Sequence, residues 1–394
     1  MLDSYRRVFA YGGAWQFSAT GVIARLPISM MTLSIVVMVS ELSGSYTRAG
    51  QVSAAYIIGN AGFAILHGRL IDRFGQRVVL LVDAAAFALT TVMLLWAIRA
   101  DWAFVPTAFF AVLSGMSIPQ IGAMIRSRWA NLVTNDEDRH TAFSVEAVVD
   151  EMVFVVGPVL VAVTATAIDP ASGLVISIVA GTIGTLLLAA QRHTEPPHGL
   201  TPENGGRRAP MHWGSLAPIS IGAIAYGSLF GALEVGAVSF ADHAGNKASS
   251  GMLLALFSLG SLIAGVVTGA IATKSSPLTR SRWGMWVLAT GTLALPFVNN
   301  LWVMAGVLAF IGLALAPTLI ALFSLVEATT PQQRLNEALG VIQTGVSGGV
   351  APGAWLAGSL ADSMGGNTPF VVCTVSAFLA ASASLFLRHQ QRAG

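Results

Sequence analysis

The fold can be read from the stretch Gly68-Arg69-Leu70-Ile71-Asp72-Arg73-Phe74-Gly75-Gln76-Arg77, which separates two apolar runs. Each run is long enough to cross a bilayer, because about 20 helical residues span a hydrocarbon core about 30 Å thick. So short a charged stretch leaves room only for a reversal of the chain at the membrane surface, and glycines at its two ends suit a tight turn. We therefore predict a charged loop that joins two membrane helices.

Composition predicts the same class of protein for the whole chain. Hydrophobic residues make up 54% of the 394 residues and charged residues only 10%, whereas soluble domains carry about 25% charged residues. Mean hydropathy is +0.71. The apolar runs have the length of membrane helices and lack the alternation of β-barrel strands, so we predict an all-α polytopic membrane protein. With a single cysteine, Cys373, the chain has no internal disulfide framework.

Apolar segments recur along the entire chain. We delimit twelve: 9–39, 49–67, 78–98, 102–125, 139–167, 171–191, 213–240, 249–273, 282–298, 300–326, 331–360 and 367–387. The longest polar interruption, at 193–212, is rich in proline and glycine and separates a six-helix bundle at 1–192 from a second at 213–394. A shift of 201 residues places Gly50 on Gly251 and Gly59 on Gly260, which indicates a duplicated half.

Positive charge predicts the orientation in the membrane. If the N-terminus is cytoplasmic, all but four of the 21 lysines and arginines lie in cytoplasmic loops. Arg25 lies inside the first segment, and Arg48, Arg99 and Lys247 lie on the outer side. This distribution follows the positive-inside rule. We predict a multi-pass protein of the cytoplasmic (inner) membrane with both termini in the cytoplasm.

The opening stretch resembles the motif that the major facilitator superfamily (MFS) carries between its second and third helices, Gly-x-Leu-x-Asp-Arg-x-Gly-x-Arg. The matching residues are Gly68, Leu70, Asp72, Arg73, Gly75 and Arg77. The resemblance implies the MFS fold of twelve transmembrane helices in two pseudo-symmetric six-helix bundles, and transport by alternating access. It also implies a gating role for Asp72. The helix that starts near residue 331 has Thr330 as a cap and Pro331 in its first turn, and its N-terminus would attract that carboxylate.

Two other stretches relate to this motif. The equivalent loop of the second half, residues 269–282, keeps the glycine and the basic residues but has no aspartate. A partial echo, Gly358-Ser359-Leu360-Ala361-Asp362-Ser363-Met364-Gly365, follows the eleventh segment. On the predicted topology this echo lies at the outer face, so any latch in the protein is asymmetric.

The fifth segment carries three acids, Glu146, Asp150 and Glu151. A carboxylate at mid-membrane depth costs about 2.5–3.5 kcal/mol on insertion scales, so these side chains are predicted to face protein or water rather than lipid. Gly157-Pro158 follows them and predicts a kink. It resembles the core of the fifth-helix motif of proton-coupled drug and metabolite antiporters, although the flanking glycines of that motif are replaced. The resemblance implies efflux by proton exchange.

Arg25, the only basic residue in the membrane interior on this topology, requires an acidic partner. At about 1.5 Å per helical residue, Arg25 and Asp150 both lie about 20 Å from the cytoplasmic face. Glu151 is nearly equal in depth and Glu146 is shallower, so Asp150 is the predicted partner. Such a pair serves either as a proton switch or as a permanent structural bridge. The proton-coupling candidates are therefore Glu146, Asp150, Glu151 and Arg25.

Several polar residues are candidates for a substrate cavity. In the family, the first, fourth, seventh and tenth helices line this cavity, which nominates Gln16, Arg25, Gln120, Tyr226 and Glu234. For Gln16, Gln120 and Tyr226, hydrogen bonding between helices explains the residue at least as well as substrate contact. Glu234 is the single acid of its segment, which makes it the stronger candidate.

Three further residues are predicted to lie at the membrane surface. Arg126 and Arg128 fall at the cytoplasmic end of the fourth segment, where arginines anchor a helix by extending toward water. His67 adjoins the motif and is expected to be an interfacial residue, with titration as a second possibility.

These features predict a secondary transporter rather than an enzyme. The chain has no His-Glu-x-x-His metal pattern and no phosphate-binding loop, as a metallohydrolase or an ATP-driven pump would require. We expect the proton gradient as the energy source, with no cofactor or metal. A small-molecule substrate and the lipid bilayer are the expected partners, without nucleic acid, for a monomer. Efflux is favoured; import, a lipid or glycolipid flippase of the same fold, and a non-transporting receptor or scaffold are the alternatives.

Overall fold

The computed structural model describes residues 2–197, 213–270, 275–329 and 335–386, and every regular element in these ranges is helical. The α-helices are α1 (Leu2–Phe9), α2 (Ala14–Ser43), α3 (Tyr46–Phe74), α4 (Gln76–Arg99), α5 (Phe104–Ser117), α6 (Ile121–Leu132), α7 (Asp136–Ala167), α8 (Ser172–Ala190), α9 (Trp213–His243), α10 (Ser249–Ala270), α11 (Pro277–Thr292), α12 (Leu301–Thr329), α13 (Leu335–Met364) and α14 (Phe370–Leu385). Two short 3-10 helices lie at Arg192–Thr194 and Leu295–Phe297.

The described helices correspond to the twelve predicted spans. Helix α1 precedes the first span, and α5 and α6 together form the fourth, so the remaining helices match the other segments one to one. Seven described segments are long and apolar enough to cross a membrane by length and hydropathy alone, and Ser249–Gly265 and Phe370–Leu385 are shorter apolar helices. The predicted all-α fold of two six-helix bundles is confirmed. We refer to α2–α8 as the N-terminal bundle and to α9–α14 as the C-terminal bundle.

The repeated glycines make equivalent contacts in the two bundles. A Cβ on Gly59 of α3 would lie 2.1 Å from the Val112 carbonyl oxygen of α5, and one on Gly260 of α10 would lie 2.2 Å from the Ala309 carbonyl oxygen of α12. These helices therefore approach one another backbone to backbone, as only glycine permits. The sequence shift of 201 residues thus relates positions with the same packing role.

The two bundles meet along two long helix pairs. A Cβ on Gly50 of α3 would lie 2.4 Å from the Ala354 carbonyl oxygen of α13. In the second pair, a Cβ on Gly251 of α10 would lie 2.6 Å from the Pro158 carbonyl oxygen of α7. Each bundle therefore contributes one glycine of the repeat to the interface between the bundles.

The predicted loop at 68–77 is mostly helix. Helix α3 continues through Gly68 to Phe74, and the chain turns only at Gly75, whose φ of 83° suits glycine. The loop prediction was too long because the exposed residues after Gly68 are compatible with helix, and a surface helix tolerates one glycine at a cost of about 1 kcal/mol. Gly75 alone has the turn geometry that was expected at both ends.

Parts of the predicted topology lie outside the described residues. The linker at 193–212 is described only to residue 197, where the Glu195 carboxylate accepts a hydrogen bond from the Arg77 backbone N–H at 2.9 Å. The bundle limits at 192 and 213 therefore stay predictions. The three basic residues expected at the outer face each pair with an acid: Arg48 with Asp101, Arg99 with Asp169, and Lys247 with Glu41.

Candidate functional site

A cluster of four charged side chains, two of them buried, lies where α2, α6 and α7 meet. Arg25 Nη2 is 2.6 Å from Glu146 Oε2, and Arg25 Nε is 3.4 Å from Asp150 Oδ1. Arg126 forms a second ion pair with Asp150. The Arg25 side chain is 2% exposed and that of Glu146 is 0% exposed. Two positive and two negative charges therefore balance in a site that excludes solvent from its centre, and this balance is what makes such burial tolerable.

Glu146 is held by neutral donors as well as by Arg25. The Ser18 hydroxyl and the Trp129 indole N–H donate to Glu146 Oε1 at 3.0 and 2.8 Å. The Phe17 ring packs edge-on against Trp129, with 4.8 Å between ring centroids. Since both of its oxygens have partners, Glu146 is fixed in one orientation.

The structure changes the predicted pairing of Arg25. Asp150 was the expected partner and lies in contact, but Glu146 is closer. Depth counted along the backbone ignores the side chain, and a long helical side chain leans toward the N-terminus of its own helix. On the predicted topology the N-terminus of α2 is its cytoplasmic end, so Arg25 leans toward the shallower acid. One guanidinium can contact both acids because they are four residues apart on one face of α7.

The fourth span is interrupted just before it reaches this cluster. Ile118 adopts an extended conformation ahead of Pro119, as the residue before a proline prefers, and α6 restarts at Ile121. The Gln120 side chain, half-buried at the break, donates to the Asn60 side-chain oxygen on α3 at 3.1 Å. The prediction of Arg126 as an interfacial anchor was wrong: α6 carries it onto Asp150 instead.

Two further acids lie between the bundles without a basic partner among the described residues. Glu151 is half-buried and is turned about 100° around α7 from Asp150. It lies close enough to α9 to act electrostatically on Tyr226. Glu234 of α9, also half-buried, accepts a hydrogen bond from the Thr32 hydroxyl of α2 at 3.0 Å. This hydrogen bond joins the two bundles.

The remaining cavity candidates lie apart from these acids. Tyr226 is 1% exposed, and its hydroxyl donates to the Leu315 carbonyl oxygen of α12 at 3.0 Å. Gln16 is exposed near the start of α2, and its backbone carbonyl accepts a hydrogen bond from the Thr20 hydroxyl at 2.9 Å. The Tyr226 hydroxyl therefore links helices, and Gln16 lies at the N-terminal end of α2, away from the acids.

Gly157-Pro158 lies where α7 touches both bundles. A Cβ on Gly157 would lie 2.0 Å from the Ser29 hydroxyl oxygen of α2, so only glycine fits at this crossing. Ser29 also donates to the Val153 carbonyl oxygen of α7 at 2.9 Å. Pro158 has no N–H to donate within the helix. The point at which α7 lacks a backbone hydrogen bond thus coincides with its contact to Gly251 of the other bundle.

The ends of the bundles that are predicted to face outward, which we call the outer ends, are joined by a network centred on Asp362 of α13. Its carboxylate accepts hydrogen bonds from the Ser45 hydroxyl at 2.7 Å and from the Tyr46 and Thr47 backbone N–H groups at 2.6 Å each. The Tyr46 hydroxyl donates to Asp242 of α9 at 2.7 Å. An acid of one bundle therefore caps the N-terminus of α3 in the other, with the favourable charge that such a terminus offers.

This outer network has the geometry that the sequence predicted for the opposite membrane face. Asp72 was expected to lie at the N-terminus of the helix near residue 331. The side chain of Asp72 and residues 330–334 fall outside the described part of the structure, so the cytoplasmic latch stays a prediction. The echo of the motif around Asp362 was noted in the sequence, but its contact with α3 was not foreseen.

Sequence reasoning also missed two buried polar networks in the N-terminal bundle. Arg128, expected to anchor at the surface, is 1% exposed and donates to the Gln76 side chain and to the Leu188 and Gln191 carbonyl oxygens. His67, expected at the interface, is buried beside Asp83. Asp83 was detectable as an acid within the third predicted span. Half of the hydrogen bonds of Arg128 go to backbone carbonyl oxygens, which a sequence pattern does not reveal.

Together, the two bundles, the charged interior and the hydrogen bonds that join the bundle ends are typical of a polytopic helical transporter. A family model described as the Major Facilitator Superfamily matches residues 17–280 and 219–394. The chain belongs to this superfamily and is a multi-pass membrane transporter, and a non-enzymatic role follows from the family. No curated protein matches the chain.

Solved structures with the same fold include two transporters. The human organic anion transporter MFSD10 (TETRAN) aligns with a TM-score of 0.65 and 14% identity over 95% of this chain and 99% of its own. A point mutant of the nucleoside transporter NupG aligns with a TM-score of 0.73 and 14% identity over 94% of this chain and 98% of its own. At this level of identity the likeness shows the shared fold and leaves the substrate open.

Proposed function

We propose that this protein is a proton-coupled secondary transporter that exports a small molecule across the cytoplasmic membrane by alternating access. It works as a monomer with both termini in the cytoplasm, and the proton gradient supplies the energy. The cluster on α7 supports proton coupling, and the joined outer ends support a conformation that is closed to the outside. The Gly157-Pro158 element supports efflux, because it resembles the motif of proton-coupled exporters.

The charge balance of the cluster carries the proposal. Arg25 and Arg126 neutralise Glu146 and Asp150. Of the three acids Glu146, Asp150 and Glu151, Glu151 is therefore the one left without a basic partner among the described residues. A carboxylate that is partly desolvated, lies beside another acid and lacks a cation binds a proton more readily. We therefore assign proton uptake to Glu151 and the holding of the local geometry to the four balanced charges.

Glu234 is the acid through which the substrate and the bundles are coupled. Its hydrogen bond from Thr32 crosses between the bundles and lies on the cytoplasmic side of the Asp362 network. Movement of the bundles relative to one another would break this bond and free the carboxylate. A substrate that engages Glu234 thus competes with a contact of the outward-closed conformation, which is how a ligand shifts a conformational equilibrium.

Transport in proteoliposomes tests the proposal. A thermal-shift screen of the purified protein supplies a ligand, whose uptake is then measured with and without an imposed pH gradient. We expect Glu151→Gln to abolish the stimulation by the gradient. Asp101→Asn, at an exposed outer acid paired with Arg48, is the matched control and should keep it. Glu146→Gln and Asp150→Asn complete the series, and full proton-dependent transport by all three α7 variants would refute proton coupling through this helix.

A lipid flippase is the second candidate, and one feature favours it. An apolar groove of about 280 Å³ runs along the α7–α10 seam between the bundles. Its walls include Val159, Val163, Met252 and Leu259, and an apolar seam of this kind would admit an acyl chain from the side. Reconstituted protein that moves fluorescent phospholipid between leaflets, and leaves a water-soluble ligand from the screen behind, would favour this alternative over small-molecule efflux.

A further inference from the structure

A second buried titratable pair lies outside the Arg25 cluster, between α3 and α4. His67 Nε2 is 2.8 Å from Asp83 Oδ1. His67 is 1% exposed and Asp83 is 5% exposed, and the Phe63 ring packs edge-on against the imidazole with 4.9 Å between centroids. Each residue lies about 12 Å along its helix from the turn at Gly75, at 1.5 Å per residue. The pair is therefore dry but near the cytoplasmic face.

The helices around the pair bring little other charge to it. Helices α5 and α8, which pack against α4, contain no titratable residue. On α2, Arg25 and Glu41 are bound in ion pairs elsewhere, and on α13, Asp362 lies at the outer end. The arginines of α3 and α4 nearest the turn are exposed or half-exposed: Arg69, Arg73 and Arg77. The side chains of Asp72 and Glu337 fall outside the described part.

The charge of the pair depends on a single proton. With one proton shared between imidazole and carboxylate the pair is neutral, and without it a net negative charge stays buried. Asp83 Oδ2 has no hydrogen-bond partner among the described residues. A bare, unneutralised carboxylate in such a place costs several kcal/mol, so the group binds a proton instead.

We propose that His67 and Asp83 form a proton-binding site, separate from the Arg25 cluster, that holds one proton in this conformation. The ligand is the proton itself, and the site releases it when water reaches the carboxylate. Helix α3 is the element that packs against α13 of the other bundle. A movement of the bundles that loosens α3 from α4 would hydrate the pair and let the proton leave toward the cytoplasm.

Counting protons tests the site without a substrate. The full-length protein, purified in mild detergent, is denatured with SDS at about pH 8 in weakly buffered solution that contains a pH-indicator dye. At this pH an unfolded aspartate is ionised and an unfolded histidine is neutral. The proton held by the folded pair is therefore released. We expect Asp83→Asn to release about one proton per chain fewer than the wild type.

Three variants complete the experiment. Asp101→Asn removes an exposed, ion-paired carboxylate and should leave the proton count unchanged. Asp83→Glu should restore the released proton, which distinguishes loss of the site from misfolding of the Asp83→Asn variant. His67→Gln should leave the count unchanged, because Asp83 without the imidazole is still a buried, unneutralised carboxylate and holds the proton itself. A loss of one proton in His67→Gln would contradict the argument that the buried carboxylate binds a proton.

If Asp83→Asn releases as many protons as the wild type, the proposed proton-binding site is refuted. The folded His67–Asp83 pair would then hold no proton beyond those that the unfolded chain also binds. The measurement reads protonation directly in the absence of any gradient or transported molecule. Its failure would therefore leave the proposed transport function standing, and failure of the transport assay would leave this site standing.

Discussion

The helix pairs α2–α7 and α9–α13 occupy equivalent places in the two bundles but are joined by different chemistry. In the N-terminal bundle, Arg25 of α2 binds Glu146 and Asp150 of α7. The shift of 201 residues places Tyr226 on Arg25, Ser347 on Glu146 and Ala351 on Asp150.

In α9–α13 the backbones touch instead. A Cβ on Gly231 would lie 2.0 Å from the Val350 carbonyl oxygen, and one on Gly349 would lie 1.9 Å from the Ile224 carbonyl oxygen. Close backbone approach through small residues is a common way to pack membrane helices. The duplicated fold thus keeps its helix arrangement while one copy is joined by charge and the other by shape, and under the proposed function the charged copy handles the proton.

The largest expected effect follows from breaking the ion pair between Arg25 and Glu146. Arg25→Met leaves Glu146 buried with an uncompensated charge, which costs about 3–5 kcal/mol when one partner of a buried pair is removed. We expect a large fall in the midpoint of thermal unfolding in detergent. The double variant Arg25→Met with Glu146→Gln removes both charges and should recover much of the loss. A double variant as unstable as the single one would show that Arg25 contributes mainly through packing.

The second prediction concerns the close backbone packing between α9 and α13. Gly231→Leu forces a side chain into the space that the Val350 backbone occupies, and overpacking of this kind costs about 1–3 kcal/mol. Gly306→Ala is the matched control, because a Cβ there meets nothing within 4 Å and alanine favours helix. We expect the thermal midpoint to fall in the first variant and to hold or rise in the second. Equal behaviour would argue against a tight α9–α13 contact.

The third prediction concerns the contact that ties the two bundles at the outer face. Asp362→Asn removes the negative charge from the α3 N-terminus, and such a charge contributes up to about 2 kcal/mol in a partly buried site. A loss of about 1.4 kcal/mol changes an equilibrium tenfold. We expect a several-fold increase in labelling of Ala354→Cys by an impermeant maleimide from outside, in a Cys373→Ser background.

The control for this experiment also removes one negative charge, but it leaves the contact between Asp362 and α3 intact. Asp169→Asn removes an outer carboxylate that pairs with Arg99 within the N-terminal bundle. Labelling should then stay at the level of the parent. If Asp169→Asn increases labelling as much as Asp362→Asn does, surface charge rather than the cap on α3 controls the outer opening.

The contrast between packing through small residues and pairing of charges also explains which features could be predicted from the sequence. Apolar runs and repeated glycines predict the spans and the packing by shape, because both depend on local composition. Pairing between charges depends on helix rotation and side-chain reach, which residue numbers give only roughly. Arg25 was therefore matched to the right helix but to the wrong nearest acid. Arg128 was misplaced because its partners are neutral: two carbonyl oxygens at the end of α8 and the side chains of Gln76 and Thr194.

The smallest expected effect concerns the hydrogen bond between Thr32 and Glu234, which joins the two bundles. Thr32→Val removes the hydroxyl that donates to Glu234 across the bundle interface and keeps the shape of the side chain. A hydrogen bond to a charged group is worth about 1.5–3 kcal/mol and one to a neutral group about 0.5–1.5 kcal/mol. Half-exposure of Glu234 gives the acid access to other partners, so we expect a loss at the lower end, visible as a small decrease in the thermal midpoint.

The same variant separates a structural contact from a functional one. Because Glu234 without its donor is free to engage a ligand, the ligand from the screen should bind Thr32→Val as tightly as the wild type or more tightly. Thr90→Val, at a hydroxyl that donates to the Ala86 carbonyl oxygen within α4, is the control and should leave binding unchanged. Weaker binding in Thr32→Val would mean that the hydroxyl contacts the ligand itself, so that the N-terminal bundle shares in substrate recognition as well as in proton handling.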